Sequence, residues 1–232
     1  MKIRSADQLL VHLDGEMAWR LKEVHELRSS VISAKGKNVD VHVRAGVAML
    51  YAHWEGFVKG AANAYIAYLA HRADKNRDLQ DCFVALGMRT TLSQMGASNK
   101  ANAAVAAVTF LRDEQDQGVR LSKAAVSSDS NLNSEVFKNI ADWLGIDCSQ
   151  YSTRFPLLDE TLLATRNGIA HGEYLQIDAQ RFHTLVDEIL EMLRWFKTDI
   201  ENAVAQKTFL KVPSGAPLVA GPINTPGASV AL

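Results

Sequence analysis

The sequence predicts an all-α fold: a helical bundle with a short-helix insert and a flexible C-terminal tail. Three observations predict it. Apolar residues recur at three- and four-residue steps along most of the chain. The strict alternation of a half-buried strand is almost absent. Capping residues and terminating glycines bracket the periodic segments.

Ser5 and Gln8 precede the first apolar run with the spacing of a capping box. The helix they open carries Leu9, Leu10, Leu13, Met17, Leu21, Val24 and Leu27 and stops near Lys35, with Gly36 as its C-terminal cap. Asp40 caps a second long helix. Its stripe runs through Val43, Val47, Leu50, Tyr51, Trp54, Phe57, Val58, Ala61, Tyr65 and Leu69, and needs cover on more than one side. That helix ends in the charged run 71–78. The middle predicts two shorter helices, 79–95 and 99–114, around Gly96, Ala97 and Ser98, then a small, polar stretch with a loop at 127–130.

Ser134 caps a helix over 135–144, with Val136, Ile140 and Leu144 inward and Gly145 as terminator. Pro156 suits the first turn of the next helix, 157–170. Gly172 falls where that segment stops or bends. Asp178 caps a last long helix through Phe182, Leu185, Val186, Ile189, Leu193, Phe196 and Ile200, ending near Phe209. From Val212 the chain turns rich in proline and glycine and reads as a flexible tail. The domain organisation is therefore a helical domain over 1–211 and a tail over 212–232.

The chain has 232 residues, enough for one good-sized core. Its formal net charge of −1 supplies no global field to attract nucleic acid. RNA binding would have to come from a local patch, which two subunits can assemble together. Cys82 and Cys148 stand far apart in no paired motif, which argues against a disulfide framework or a cysteine zinc site and fits a cytoplasmic location. The N-terminus lacks the long apolar run of a signal peptide. The most apolar stretch, 45–70, is interrupted by Glu55 and Lys59, so no membrane span is expected. His42, His53, His71 and His183 have no zinc-helix spacing, and no Walker loop or dinucleotide fingerprint is present. No metal or other cofactor is expected.

The chemistry concentrates in Arg166-Asn167-Gly168-Ile169-Ala170-His171-Gly172, near the end of an apolar helical segment. Histidine titrates near neutral pH and can take a proton from a ribose 2′-OH or give one to a leaving 5′-oxygen. A guanidinium can make two charge-assisted bonds to the phosphoryl oxygens as negative charge builds on them. Asn167 and His171 are four residues apart on one helix face, so the amide can hold the imidazole. Arg166 lies about 100° round the axis from Asn167, flanking the pair without needing to touch it. The bland reading of the same residues is a surface charge and a C-terminal helix cation.

The spacing alone does not decide. Arg20 and His25 repeat it, and the neighbouring Lys22, Glu23 and Glu26 mark that copy as the solvated edge of the first helix. Glu55, which interrupts an apolar stripe, either faces the site and meets His171 or Arg166, or pairs with Lys59 one turn on. Tyr51, Trp54, Tyr65 and Tyr68 have the spacing of core aromatics as well as the composition of a base-stacking platform; core is the preferred reading. Arg181, Arg194, Lys197, Lys207 and Lys211 make the last helix basic, as a solvated face or an RNA contact.

Arg166-Asn167 followed by His171, at the end of a bundle helix and ahead of another long helix, resembles the signature of the HEPN superfamily (higher eukaryotes and prokaryotes nucleotide-binding domains). Two further stretches, Leu50 to Lys59 on the second helix and Asn131 to Lys138 ahead of the fifth, are similar to one prokaryotic branch of it. The resemblance implies a helical bundle that dimerises through the motif face. It also implies metal-independent endoribonuclease activity in a toxin–antitoxin or antiviral system, with an antitoxin protein as a partner in the former. Carried over, Arg166 binds the scissile phosphate, His171 is the acid/base group, Asn167 orients His171 or touches substrate, and Glu55 has a supporting role. Some members of the superfamily are inactive, so the alternative is a non-catalytic helical module that binds a protein or a nucleotide.

Overall fold

Helix α1 (Ala6–Ser33) starts where the Ser5 side chain accepts the Gln8 backbone N–H. Gln8 reaches back one residue further than a capping box requires, its Oε1 accepting from the Arg4 N–H at 2.8 Å. The computed structural model describes residues 3–36, 38–72, 74–97, 101–121, 131–174 and 178–211. The expected loop at 127–130 and the tail at 212–232 lie outside the described residues.

Helix α2 (Asn38–Arg72) is the axis of the bundle. Every residue of its expected stripe is buried, because α1, α6 (Ser134–Leu144), α7 (Ala164–Ala170) and α8 (Ala179–Gln206) all pack on it. Tyr51, Trp54, Tyr65 and Tyr68 are core residues, between 0% and 5% exposed, and not a stacking platform. The helix begins two residues before Asp40, which lies in the first turn; its carboxylate instead accepts the Tyr174 hydroxyl at 3.1 Å. Against α8 (Ala179–Gln206) the approach is close: a Cβ on Gly46 would stand 2.6 Å from Cζ of Phe182. Asp178 caps α8 as expected, and its whole expected stripe is buried. The helix stops at left-handed Lys207 (φ 55°), short of the expected Phe209, which folds back into the core.

Arg20 corrects one expectation. It lies on the buried side of α1 at 6% exposure, not on a solvated edge. Its guanidinium bonds the Glu16 carboxylate at 2.5 Å and lies 4.2 Å from the Trp19 ring centroid. A Cβ on Gly56 would come within 3.3 Å of it, so a glycine on α2 makes the room this charge occupies.

The insert divides more finely than expected, into α3 (Asp81–Gly87), α4 (Arg89–Ala97) and α5 (Ala101–Asp113), with a break at Met88. Its base is tied to the end of α2 by backbone bonds, Asn76 N–H to Gln117 at 3.0 Å and Val119 N–H to Asp74 at 3.0 Å. Helix α6 (Ser134–Leu144) is capped by Asn133, one residue earlier than expected, because Ser134 is engaged elsewhere. Phe137 and Ala141 join Ile140 and Leu144 on its buried face, while Val136 is only partly covered. Its stop at left-handed Gly145 (φ 64°) is as expected. The helix expected over 157–170 is two pieces, a π-helix (Leu157–Leu163) running into α7 (Ala164–Ala170). Among the described residues there is no strand beyond two isolated bridges, and no helix is long and apolar enough to cross a membrane.

Candidate functional site

Both ends of α7 are built to order. At its start the Ala164 N–H reaches the Asp159 carbonyl, an i to i−5 bond that carries the π-helix into the α-helix. Its end is a Schellman motif. Gly172 takes φ 79°, its N–H bonds the Ile169 carbonyl at 3.1 Å, and the Glu173 N–H bonds the Gly168 carbonyl at 2.9 Å. His171 is therefore the last residue before a left-handed turn, and it is exposed. Arg166 and Asn167, one turn earlier, are half-buried.

Arg166 is held from three directions. Its Nη1 donates to Oδ1 of Asn131 at 3.1 Å and to Oδ1 of Asn167 at 2.9 Å. Its guanidinium carbon sits 4.8 Å from the Tyr51 ring centroid, within cation–π range. Asn131 closes the triangle by donating to Asn167 at 3.3 Å. The segment bearing Asn131 is anchored twice. The Leu132 N–H donates to the buried Tyr51 hydroxyl at 2.7 Å. Next to it, Ser134 donates to the Asp159 carboxylate through its N–H at 2.8 Å and its hydroxyl at 2.5 Å. That second anchor is why Ser134 does not cap α6, and it ties the Asn131 segment to the π-helix that feeds α7.

Two expected contacts take a different form. The Asn167 side-chain oxygen faces Arg166 and Asn131, and its link to His171 is through the backbone, His171 N–H to Asn167 carbonyl at 2.9 Å. Arg166, expected only to flank that pair, bonds Asn167 directly. The fixed guanidinium is a stronger donor than an exposed imidazole across one turn, so the amide turns toward it.

The family described as MAE_28990-like HEPN matches residues 9–209. The chain belongs to the HEPN superfamily. No curated protein and no solved structure matches it. The match spans α1 to the end of α8, insert included, so in this HEPN chain the motif helix and its supports on α2 and ahead of α6 fall within one family unit.

Glu55 pairs with Lys59 at 2.7 Å, the structural one of its two readings. It also lies against the Tyr51 hydroxyl, where its charge joins burial, the larger cause, in pushing that phenol up; the Leu132 bond and the Arg166 charge pull it down. Glu55 thus reaches the Tyr51 phenol, whose ring faces Arg166, and among the described residues it makes no bond to Arg166 or His171.

Reading the sequence missed Asn131 as a partner of Arg166, and missed a second cation that reaches the chain just after His171. Arg44 on α2 donates to the Glu173 carbonyl at 3.2 Å, and its guanidinium lies 5.7 Å from the ring centroid of exposed Tyr174. The available signals were Arg44 one turn after Asp40, and an aromatic at 174 that belongs to no apolar stripe. Among the described residues no three His, Cys, Asp or Glu side chains gather as a metal-holding group. A cavity of about 530 Å³ lies elsewhere, between the segment that follows α6 and the last turns of α8, lined by residues such as Asp147, Gln150, Asp199 and Asn202. At its wall Asp199 accepts the Tyr151 hydroxyl and the Gln150 amide, so that carboxylate is engaged within the fold.

Proposed function

We propose that this HEPN protein is a metal-independent endoribonuclease that cuts RNA to a 2′,3′-cyclic phosphate. The observation that carries the reading is one short helix on which Arg166 is locked in place by Asn131, Asn167 and the Tyr51 ring, with His171 exposed at its end. Arg166 binds the non-bridging oxygens of the scissile phosphate. The ribose 2′-oxygen loses its proton and attacks phosphorus; the P–O5′ bond breaks and the leaving 5′-oxygen is protonated. His171 performs one of the two proton transfers. The need for a 2′-OH makes the activity selective for RNA over DNA.

Five residues apart, Arg166 and His171 stand about 140° apart round the axis at roughly 100° per residue. One α7 therefore presents the two groups in widely separated directions. A second copy related by two-fold symmetry places one protomer's imidazole beside its partner's guanidinium, so the active species is a homodimer. The biological setting is a toxin–antitoxin or antiviral system, in the first case with an antitoxin protein covering the motif face.

The test is cleavage of single-stranded RNA in EDTA, with product ends read by mass spectrometry and oligomeric state by light scattering. Cyclic phosphate ends, loss of cutting in His171→Ala and Arg166→Ala with unchanged circular dichroism, and a dimer in solution are expected. Full activity in folded His171→Ala removes that histidine from the reaction; a strict monomer removes the composite site. The net charge of −1 favours a second reading, a non-catalytic module that binds a protein or nucleotide. Under that reading RNA stays intact in every condition while ligand binding persists.

A further inference from the structure

We propose that Tyr174 and Arg44 form a nucleotide subsite beside His171, in which a base of single-stranded RNA stacks on the phenol ring and Arg44 faces the adjoining phosphate. The proposal rests on the RNA reading of the Arg166 and His171 site and names the form of RNA that site takes.

Tyr174 is 72% exposed, three residues beyond His171. It is exposed yet tethered. Its hydroxyl donates to Oδ2 of Asp40 at 3.1 Å, and the Arg44 guanidinium lies 5.7 Å from its ring centroid. Arg44 in turn donates to the Glu173 carbonyl at 3.2 Å, which fixes the backbone that carries the ring. An aromatic held at its hydroxyl edge, backed by a cation and otherwise open to water is pre-ordered for stacking. Binding a base then costs little side-chain entropy.

Position adds to this. Asp40 and Arg44 are one turn apart on α2, and Tyr51 lies two turns beyond Arg44, roughly 10 Å along the axis at 1.5 Å per residue. The Arg166–Tyr51 pair and the Arg44–Tyr174 pair thus bracket α7's last turn, where His171 stands. Each pair offers a cation; the Tyr51 ring is buried beneath Arg166, and only the Tyr174 ring is open to a base. A single RNA strand offers phosphates and unstacked bases along its length, whereas a duplex keeps its bases stacked and away from Tyr174.

The test is fluorescence anisotropy with a labelled single-stranded RNA carrying 2′-O-methyl groups throughout, which removes the nucleophile and isolates binding from cutting. Tyr174→Ala is expected to weaken binding by about 5- to 160-fold, while Tyr174→Trp retains it, since stacking tolerates any flat ring. Arg44→Ala is expected to lower the slope of log affinity against log salt by about 0.7, the value for one phosphate contact on a single strand, with Tyr174→Ala leaving that slope unchanged. Equal affinity of wild type and Tyr174→Ala overturns the subsite. So does wild-type protein that binds no RNA, or that binds a duplex of the same length as tightly. Cutting of the unmodified strand is scored separately: wild type that binds through Tyr174 but cuts nothing keeps the subsite and overturns the nuclease.

Discussion

Tyr51→Phe removes one oxygen atom and tests how the Asn131 segment is held. The ring is 1% exposed and its hydroxyl accepts the Leu132 N–H at 2.7 Å. Leu132 is itself 0% exposed, so water does not replace that acceptor. A buried N–H left without its partner costs about 1–3 kcal/mol. The other contact of the hydroxyl adds little, because Glu55 is on the surface side and keeps Lys59 at 2.7 Å. At about 2–4 °C per kcal/mol for a chain of this length, the melting temperature falls by roughly 2–12 °C. The phenylalanine ring stays beneath Arg166, so the cation–ring contact survives the substitution. The assay is a thermal melt together with hydrogen exchange at the Leu132 amide, which is slow in the wild type and fast in the variant. A melt and an exchange rate both equal to wild type refute the idea that Tyr51 anchors this segment.

Gly46→Ala puts a methyl group 2.6 Å from Cζ of Phe182, a ring only 1% exposed with no room to move. Overpacking of about 1–3 kcal/mol outweighs the gain of about 1 kcal/mol for alanine over glycine in a helix; the urea midpoint falls, and an unchanged or raised midpoint contradicts the close approach. His53, 3% exposed between Trp19 and Glu23, is held below the usual histidine range by burial, against the pull of Glu23. The unfolded chain therefore binds the proton more readily, so this contribution is complete above about pH 6.5 and is lost as pH falls below it. His53→Gln is expected to flatten stability between pH 7 and pH 5 in urea titrations, and parallel pH profiles for the two proteins refute the assignment. Burial first, then the charges of Asp142, Asp147 and Asp199, push the Cys148 thiol up to about 11, and burial raises Cys82 as well. A disulfide reagent at pH 8 should label both slowly in the native protein and quickly in urea; fast native labelling rules out the buried setting.

The long helices were legible because their apolar stripes are long enough to average over local exceptions. Every expected stripe residue of α2 and α8 is buried. The errors are local. Charged neighbours surround Arg20, yet Leu13, Met17, Arg20 and Val24 step by four, three and four along the buried face. That spacing was the better guide than the charge. The π-helix was invisible because Leu158 and Leu162 are spaced as an α-helix would space them. The cap of α6 slipped by one because Asn133 and Ser134 are both good caps, and the choice is made by Asp159, 25 residues away. The same holds for the site. Arg166 and His171 lie within one short run of the chain and could be read. The Leu132–Tyr51 bond joins residues 81 apart, and Asn131 meets Arg166 across 35. No local pattern encodes such pairings.

The partners chosen for each arginine carry the functional argument one step further. Arg20, Arg28, Arg72 and Arg154 are each bonded to a carboxylate, which spends their charge on the fold. Arg166 is fixed instead by two amide oxygens and a ring, and Arg44 by a backbone carbonyl and a ring. Neutral partners orient a guanidinium and leave its full charge for an incoming phosphate. Asn131→Asp inverts this with almost no change of shape, placing a carboxylate about where Oδ1 now stands 3.1 Å from Nη1. A half-exposed pair of this kind contributes at most about 1 kcal/mol, so the melting temperature holds or rises slightly. A carboxylate roughly 6 Å from the bound phosphate repels it by about 1.4 kcal/mol at an effective dielectric near 40, so RNA affinity falls by about tenfold at low salt, and cutting falls with it. Stability and function thus move in opposite directions, which a merely structural Asn131 does not produce. An Asn131→Asp variant that melts like the wild type and also binds RNA as tightly at low salt shows that Arg166 is not where the phosphate goes.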